Sequence, residues 1–251
     1  VLKEERHRII LELLDKERYL KISELADCLN VTKMTVRRDL SILDQKNLLR
    51  RVHGGAQRLG EAAREFSHKE KLSLHTEEKN KIAKQAASLI EENDTVFIGS
   101  GTTNERIYSY LRVKRATIIT NSLTVFQRFQ EDKRFELILM GGRYRERTGS
   151  FIGTFANESL RKIKVNKAFI GTNGIDRGMV TTVNEEEGVA LQIILDNALA
   201  KYILCDVSKI GRQALYAFYS LQDVTALISD ARPETLAGKQ IMKYTELLTV
   251  S

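Results

Sequence analysis

A winged helix-turn-helix module followed by a larger α/β domain is the fold class predicted by three observations. Residues 32–55 read as a helix with one apolar and one basic face, then a short strand ending in a glycine turn. From residue 76 onward, helix and strand signals alternate with short connections, the pattern of a mostly parallel sheet flanked by helices. The chain has 251 residues and 42% hydrophobic content, enough for one small module plus a domain of typical size with packed cores.

The N-terminal module can be justified element by element. Ile9, Ile10, Leu13 and Leu14 fall at amphipathic spacing in the first helix. Tyr19 to Ile22 reads as a short extended piece. Ser23 is expected to cap a second helix with Leu25, Ala26 and Leu29 facing inward. Asn30 follows, a residue that tolerates the left-handed backbone of a tight turn. Thr32 is expected to cap the third helix. At about 100° per residue, Val36, Leu40 and Leu43 share its inner face. Met34, Arg38 and Ser41 point outward, flanked by Lys33, Thr35 and Arg37. Arg50, Arg51, His53 and Gly54 form the hairpin behind it.

That outer face offers a bidentate donor for guanine edges, hydroxyls for bases or phosphates, and an apolar contact for a thymine methyl. An arginine pair alone is also what a solvated helix face carries. The surroundings decide otherwise: residues 33–58 hold seven basic and two acidic side chains, in a chain of net charge +7. Residues 1–58 are therefore expected to bind double-stranded DNA, with Ser23, Thr32, Lys33, Met34, Thr35, Arg37, Arg38, Ser41, Arg50, Arg51, His53 and Gly54 at the interface. Residues 59–75, charged and without a sustained apolar stripe, are expected to be a linker, a helix that bridges domains or subunits being the alternative.

The domain from 76 to 251 reads in order. A helix is expected over 81–90, a buried strand over 95–98, a helix over 104–111 and a strand over 116–120. A helix over 122–129 and a strand over 135–140 follow, then a helix over 159–163 and strands over 167–171, 201–205 and 224–228, with a helix over 185–197. Ligands bind beyond the carboxyl ends of such strands. Gly99-Ser100-Gly101-Thr102-Thr103 joins a strand to a helix, and its amides and hydroxyls can converge on an anion. The loop is neither a Walker A nor a GxGxxG sequence, and a plain strand-to-helix turn has the same composition. Further polar strand ends supply Asn121, Ser122, Gly141, Gly142, Arg143, Asn173, Asp176, Glu185 and Lys209. Together they suit a polyhydroxylated, phosphorylated molecule. One or more of Glu185 to Glu187 is equally suited to complementing a helix N-terminus.

No metal-ligand spacing connects the four histidines and two cysteines, so no metal or cofactor is expected, and Cys28 and Cys205 read as reduced core thiols. No signal peptide and no bilayer-spanning run is read. A cytoplasmic, nucleoid-associated protein without membrane contact is expected.

Residues 6–55 carry a resemblance. Thr35-Val36-Arg37-Arg38-Asp39-Leu40 with Arg51-Val52-His53-Gly54-Gly55-Ala56 resembles the DeoR family of bacterial transcriptional regulators, although Arg18, Asn30 and Asn47 stand where that family often has glycine. Gly99 to Thr103 and Gly141-Gly142-Arg143-Tyr144-Arg145-Glu146 are similar to the lactose phosphotransferase-system repressors within it. The resemblance implies a sensor domain with the ribose-5-phosphate isomerase-like fold, a homodimer or homotetramer, and a repressor of a carbohydrate operon released by a sugar phosphate such as tagatose 6-phosphate. The alternative is a sugar-phosphate isomerase with a DNA-binding appendage. The isomerase pattern needs two aspartates near 173–176 and a lysine in a glycine run. Asn173 replaces the first aspartate and Arg177-Gly178-Met179 the lysine run, so no catalytic residue is assigned.

Overall fold

The computed structural model describes residues 3–17, 19–45, 48–52, 54–57 and 66–250, except the side chains of residues 15, 16, 50 and 57. Expectations placed on Arg18, Asn47, His53 and Arg58, and on the side chain of Arg50, lie outside the described residues. The chain divides into two units, 1–64 and 65–251.

The first unit contains α1 (Lys3–Lys16), β1 (Tyr19–Lys21), α2 (Ile22–Leu29), α3 (Lys33–Gln45), β2 (Arg50–Val52) and β3 (Gly55–Gln57). The strands pair antiparallel in the order β1-β3-β2. Ile10, Leu14, Leu25, Leu29, Val36, Leu40, Leu43 and Leu49 fill one core, the inner faces that helical spacing predicts. Asn30 ends α2 at φ 51° and ψ 52°, the left-handed turn expected of it. Gly55 is dictated by close approach: a Cβ there would stand 2.2 Å from the Leu20 carbonyl oxygen. Any side chain would pry β3 off β1.

The second unit begins with α4 (His68–Leu72) and α5 (Thr76–Ser88). It continues through β4 (Thr95–Ile98), a 3-10 helix over Asn104–Tyr110, β5 (Ala116–Thr120), α6 (Leu123–Phe129) and β6 (Phe135–Leu139). A hairpin of β7 (Arg143–Arg145) and β8 (Ser150–Ile152) precedes α7 (Thr154–Arg161) and β9 (Val165–Gly171). Then come β10 (Gly174–Asp176), β11 (Met179–Thr182), α8 (Glu185–Asp196), β12 (Ala198–Leu204) and β13 (Tyr216–Ser220). The unit ends with β14 (Ala226–Ser229), α9 (Leu236–Ile241) and β15 (Glu246–Thr249).

Seven strands form one sheet, ordered β15-β14-β12-β9-β4-β5-β6, with every pairing parallel. Alternate residues feed two cores. Val96, Ile98, Ile118 and Phe169 meet Ile82, Ala86, Ile107 and Phe129 on one face. Phe97, Ala168, Ile170 and Ile203 meet Leu160, Ile194, Leu195 and Ile241 on the other. Apolar side chains cover both faces of its central strands, as is usual for parallel sheets. A second sheet, β10-β11-β13, is antiparallel.

Three expectations are corrected here. Ser23 lies inside α2 rather than capping it, because the N-cap is Lys21, whose backbone N–H donates to Glu24 at 3.1 Å. The segment expected to be linker up to residue 75 contributes α4 to the second unit. It is short and lacks an apolar stripe, but Ser67 and Glu70 close a capping box around its first turn. Cys28 is exposed, whereas Cys205 is buried as expected, and burial pushes its thiol far up.

Candidate functional site

On the first unit, α3 begins with Thr32, whose Oγ1 accepts from the Thr35 backbone N–H at 3.2 Å and meets the Thr35 hydroxyl at 3.0 Å. Lys33, Arg37 and Arg38 are exposed, and Met34 is 70% exposed. A methionine that open has no part in the module's core. Ser41 is already engaged: its hydroxyl donates to the Arg37 carbonyl at 2.9 Å and accepts from Arg51 Nη1 at 2.7 Å. Arg51 is fixed again through its backbone N–H, which donates to Asp44 at 3.0 Å. Ser41 and Arg51 thus tie the hairpin to α3 rather than standing free beside Arg38.

Behind that face, Asp39 is buried. It accepts from Arg6 Nε at 2.8 Å and Nη2 at 3.2 Å, and lies 3.1 Å from His7 Nε2. Burial pushes the Asp39 carboxyl up, but the hydrogen bonds from Arg6 and His7 outweigh it and hold the carboxyl below the usual range. Its role is to lock α1 against α3.

In the second unit, the chain runs from β4 to β5 and β6 on one side of the sheet, then returns to place β9 on β4's other side. The β4–β9 boundary is therefore the switch point, where loops diverge and leave a crevice. A cleft opens there, lined by Ser100, Gly101, Thr102, Thr103 and Asn104 after β4 and by Gly171, Thr172 and Asn173 after β9. Thr148, Thr182, Glu187 and Lys209 complete it, with His68 and Lys71 from α4. Gly101 sits at φ 141°, a backbone conformation in this loop that favours glycine. Asn104 pins the loop: its Nδ2 donates to the carbonyls of Gly99 at 2.9 Å and Phe169 at 3.2 Å.

The positive charge of the cleft has structural support. Lys209 lies 3.7 Å from buried Asp206, which also accepts from the Ser208 hydroxyl. Burial raises the Asp206 carboxyl, while Lys209 and Ser208 prevail and lower it. Lys79 is buried behind the loop and donates to the Lys71 carbonyl. Burial first, then Lys209 and Arg106, push the Lys79 ammonium down to about 8. His68 Nε2 meets Glu105 at 3.0 Å, and its backbone N–H donates to Arg147 at 2.9 Å. These bonds dock α4 at the mouth of the cleft.

Sequence-predicted residues divide accordingly. Ser100, Gly101, Thr102, Thr103, Asn173 and Lys209 meet at the cleft. The others do not line it. Gly99 is spent in the strand, donating to Phe169 at 3.0 Å. Asn121 donates to Phe151 at 3.2 Å, and Ser122 caps α6 by accepting from Val125 at 3.3 Å. Gly141 and Gly142 lead the chain into β7, and Arg143 is exposed and paired with Glu186. Asp176 faces Arg177 at 3.7 Å, and Glu185 is exposed.

Sequence reasoning missed Glu187. Asn184 caps α8 by accepting from the Glu187 backbone N–H at 3.0 Å, which turns this third glutamate inward. Its Oε1 accepts from Arg145 at 3.2 Å, from Ser150 at 3.1 Å and from Thr148. The signal available was the Asn-x-x-Glu spacing at 184–187, which sets a cap and orients the helix. His68 and Lys71 carried no sequence signal, because their position depends on the docking of α4.

Among the described residues, no group of three or more His, Cys, Asp or Glu side chains is placed to hold a metal ion. No described helix is long and apolar enough to cross a membrane.

Two family models match the chain: the DeoR-like helix-turn-helix domain over residues 6–61 and the DeoR C terminal sensor domain over 74–231. A lactose phosphotransferase system repressor of Streptococcus mutans serotype c is 39% identical over 249 residues, covering 98% of this chain and 99% of that protein. The protein of the same name from Lactococcus lactis subsp. lactis is 38% identical over 250 residues, covering 98% of each. Among solved structures, a ribose 5-phosphate isomerase A from Methanocaldococcus jannaschii matches 53% of each chain at 20% identity and a TM-score of 0.36. The eIF2B beta subunit from Chaetomium thermophilum matches 84% of this chain and 58% of its own at 14% identity and a TM-score of 0.45.

Proposed function

We propose, on the premise that this chain belongs to the DeoR family, that it is a sequence-specific DNA-binding repressor of a carbohydrate operon, released by a phosphorylated sugar. The observation that carries the reading is the pairing of two sites in one chain. An arginine-bearing helix face stands open on the first unit, and an amide- and hydroxyl-lined cleft with a lysine lies at the sheet switch point of the second. The relatives that match nearly end to end are named lactose phosphotransferase system repressors, which favours lactose metabolism; the effector proposed with it is tagatose 6-phosphate.

On this reading, α3 enters the major groove and Arg38 reads a base edge, while Arg51 holds the hairpin at the backbone. Two copies would meet paired half-sites about one helical turn apart, or a multiple of it. The phosphate would rest on Ser100 to Thr103 and Lys209. Release requires that the sugar phosphate bind the DNA-incompetent arrangement more tightly, since equal affinity for both shifts nothing. The protein acts in the cytoplasm, on the nucleoid.

The cleft binds rather than catalyses. Asn173 accepts from the Thr182 hydroxyl at 3.1 Å and offers an amide where a base is needed, while Asp176 lies off the cleft beside Arg177. Fluorescence anisotropy on operator fragments selected from random DNA tests the whole reading. Addition of tagatose 6-phosphate should release the DNA without being consumed, as followed by NMR. Unchanged operator affinity across sugar phosphates that do bind would remove the regulatory reading. Appearance of an isomer would restore the enzyme.

A further inference from the structure

We infer that α4 is a strap whose docking on the second unit sets the length of chain available to the DNA-binding unit, so that the effector fastens it and operator DNA requires it loose. The inference rests on the proposed reading of the chain as an effector-released repressor and names the element that couples its two sites.

α4 is the first helix after the stretch that joins the two units. None of its residues is buried, and Leu72 at its end and Leu74 beyond it stand exposed, where an amphipathic helix would turn its leucines inward. Two adjacent residues of the 3-10 helix clasp it instead. Glu105 meets His68 Nε2 at 3.0 Å on its first residue, and Arg106 Nη2 donates to the Leu72 carbonyl at 3.2 Å on its last. Lys79 donates to the Lys71 carbonyl, and the His68 backbone N–H to that of Arg147. Such bonds exchange for bonds to water at little net cost, and a segment that buries no side chain opens locally while the cores stay folded. His75, between α4 and α5, holds φ 51° and ψ 46°, a left-handed conformation for a non-glycine residue, and serves as the hinge.

Arg106 joins this docking to the cleft. Its Nε donates to the Thr102 carbonyl in the loop after β4 at 3.0 Å, and its Nη1 to the Asn80 side chain on α5 at 2.8 Å. One guanidinium therefore spans the loop, α5 and the end of α4. Docked α4 also brings His68 and Lys71 to the cleft wall. An occupant of the cleft meets those two side chains only while α4 is docked, so it binds that arrangement more tightly and shifts the population toward it. Undocking adds residues 68–75 to the connection between the units, up to roughly 26 Å of reach. Paired half-sites lie about 34 Å apart or a multiple of it, so a change of that size decides whether two modules reach both. Linkage is reciprocal: operator DNA must loosen α4 where the effector fastens it.

The test is amide hydrogen exchange of the full chain, alone, with tagatose 6-phosphate and with selected operator duplex, read at residues 66–75 against β4 and β9. The effector should slow exchange at 66–75 at least tenfold, and the duplex should speed it at least threefold, with β4 and β9 unmoved by either. Ser67→Ala supplies a second reading, because Ser67 caps α4 and does not line the cleft. It should speed exchange at 66–75, raise the effector concentration for half-release at least threefold, and leave operator affinity without effector equal or tighter. A residue that only supported the fold would weaken operator binding as well, and that result overturns the inference. So does a duplex that leaves 66–75 unchanged or slows it, or a Ser67→Ala protein released at the wild-type effector concentration. Release by the effector with 66–75 unmoved overturns the strap alone, whereas a chain that neither tagatose 6-phosphate nor any other sugar phosphate releases from DNA overturns the proposed function and the strap with it.

Discussion

Arg6 grips Asp39 through two nitrogens, Nε at 2.8 Å and Nη2 at 3.2 Å, across thirty-three residues of sequence. The aspartate sits in the middle of the arginine-rich helix α3, yet faces away from its exposed arginines into the module. The acid in Thr35-Val36-Arg37-Arg38-Asp39-Leu40 is therefore a structural anchor between α1 and α3. Both halves of the pair are largely buried, so the contact is little screened by solvent.

Asp39→Asn should cost the first unit about 1.5–3 kcal/mol, the worth of hydrogen bonds to a charged group. The sign with pH follows from the lowered carboxyl. A group whose folded value lies below its unfolded value, about 3.9 for aspartate, contributes fully above that value and is lost as pH falls through the folded one. The stability gap between wild type and Asp39→Asn should accordingly be present at pH 5 and close as pH falls below about 4. Thermal unfolding of both proteins across that range measures it. A gap that widens below about pH 4 would contradict the assignment.

Arg38→Ala should weaken binding to selected operator DNA by about tenfold to a hundredfold, the value of one bidentate arginine–guanine contact. Arg38 is exposed and has no partner among the described residues, so the melting temperature should stay where it was. Anisotropy titrations against operator and scrambled DNA separate the two terms of binding. Equal losses on both would make Arg38 a phosphate contact rather than a base reader.

Ser41→Ala removes the acceptor of Arg51 Nη1. The bond is exposed and worth about 0.5–1.5 kcal/mol. Stability should hardly change, while operator affinity should drop several-fold as the hairpin loses its tie to α3. If affinity is untouched, the Asp44 contact to the Arg51 backbone alone orients the hairpin.

Local chemistry made much of this molecule readable. Val36, Leu40 and Leu43 repeat at helical spacing and are the residues α3 buries. Phe97 and Ile98 lie on opposite faces of a strand whose continuous apolar run marks burial on both sides. The phosphate-loop residues followed from the rule about strand ends, because Gly101 advertises the turn. Arg143 and Asp176 misled for a different reason. Arg143 begins β7 and Asp176 ends β10, each at a strand end like a ligand residue, but neither lines the crevice. Those short strands have no periodicity long enough to detect. Glu187 differs from Glu185 only by where a helix turn points it, and that depends on the Asn184 cap.

Lys79 should make effector binding take up protons. Burial, then Lys209 and Arg106, lower its ammonium to about 8, so in the free protein at that pH it is half neutral. Its charge costs stability below that value, and the cost is relieved as pH rises toward the unfolded value of about 10.4. A phosphate ester, with its second ionisation near 6, arrives as a dianion. It partly cancels Lys209 and favours the charged form of Lys79, raising that group's value. Calorimetry at pH 8 in HEPES and in Tris should therefore give different apparent enthalpies, reporting uptake of up to about half a proton. Affinity should decline as pH rises past 8, and Lys79→Met should abolish both effects. Identical enthalpies in the two buffers would place Lys79 outside the reach of the bound anion.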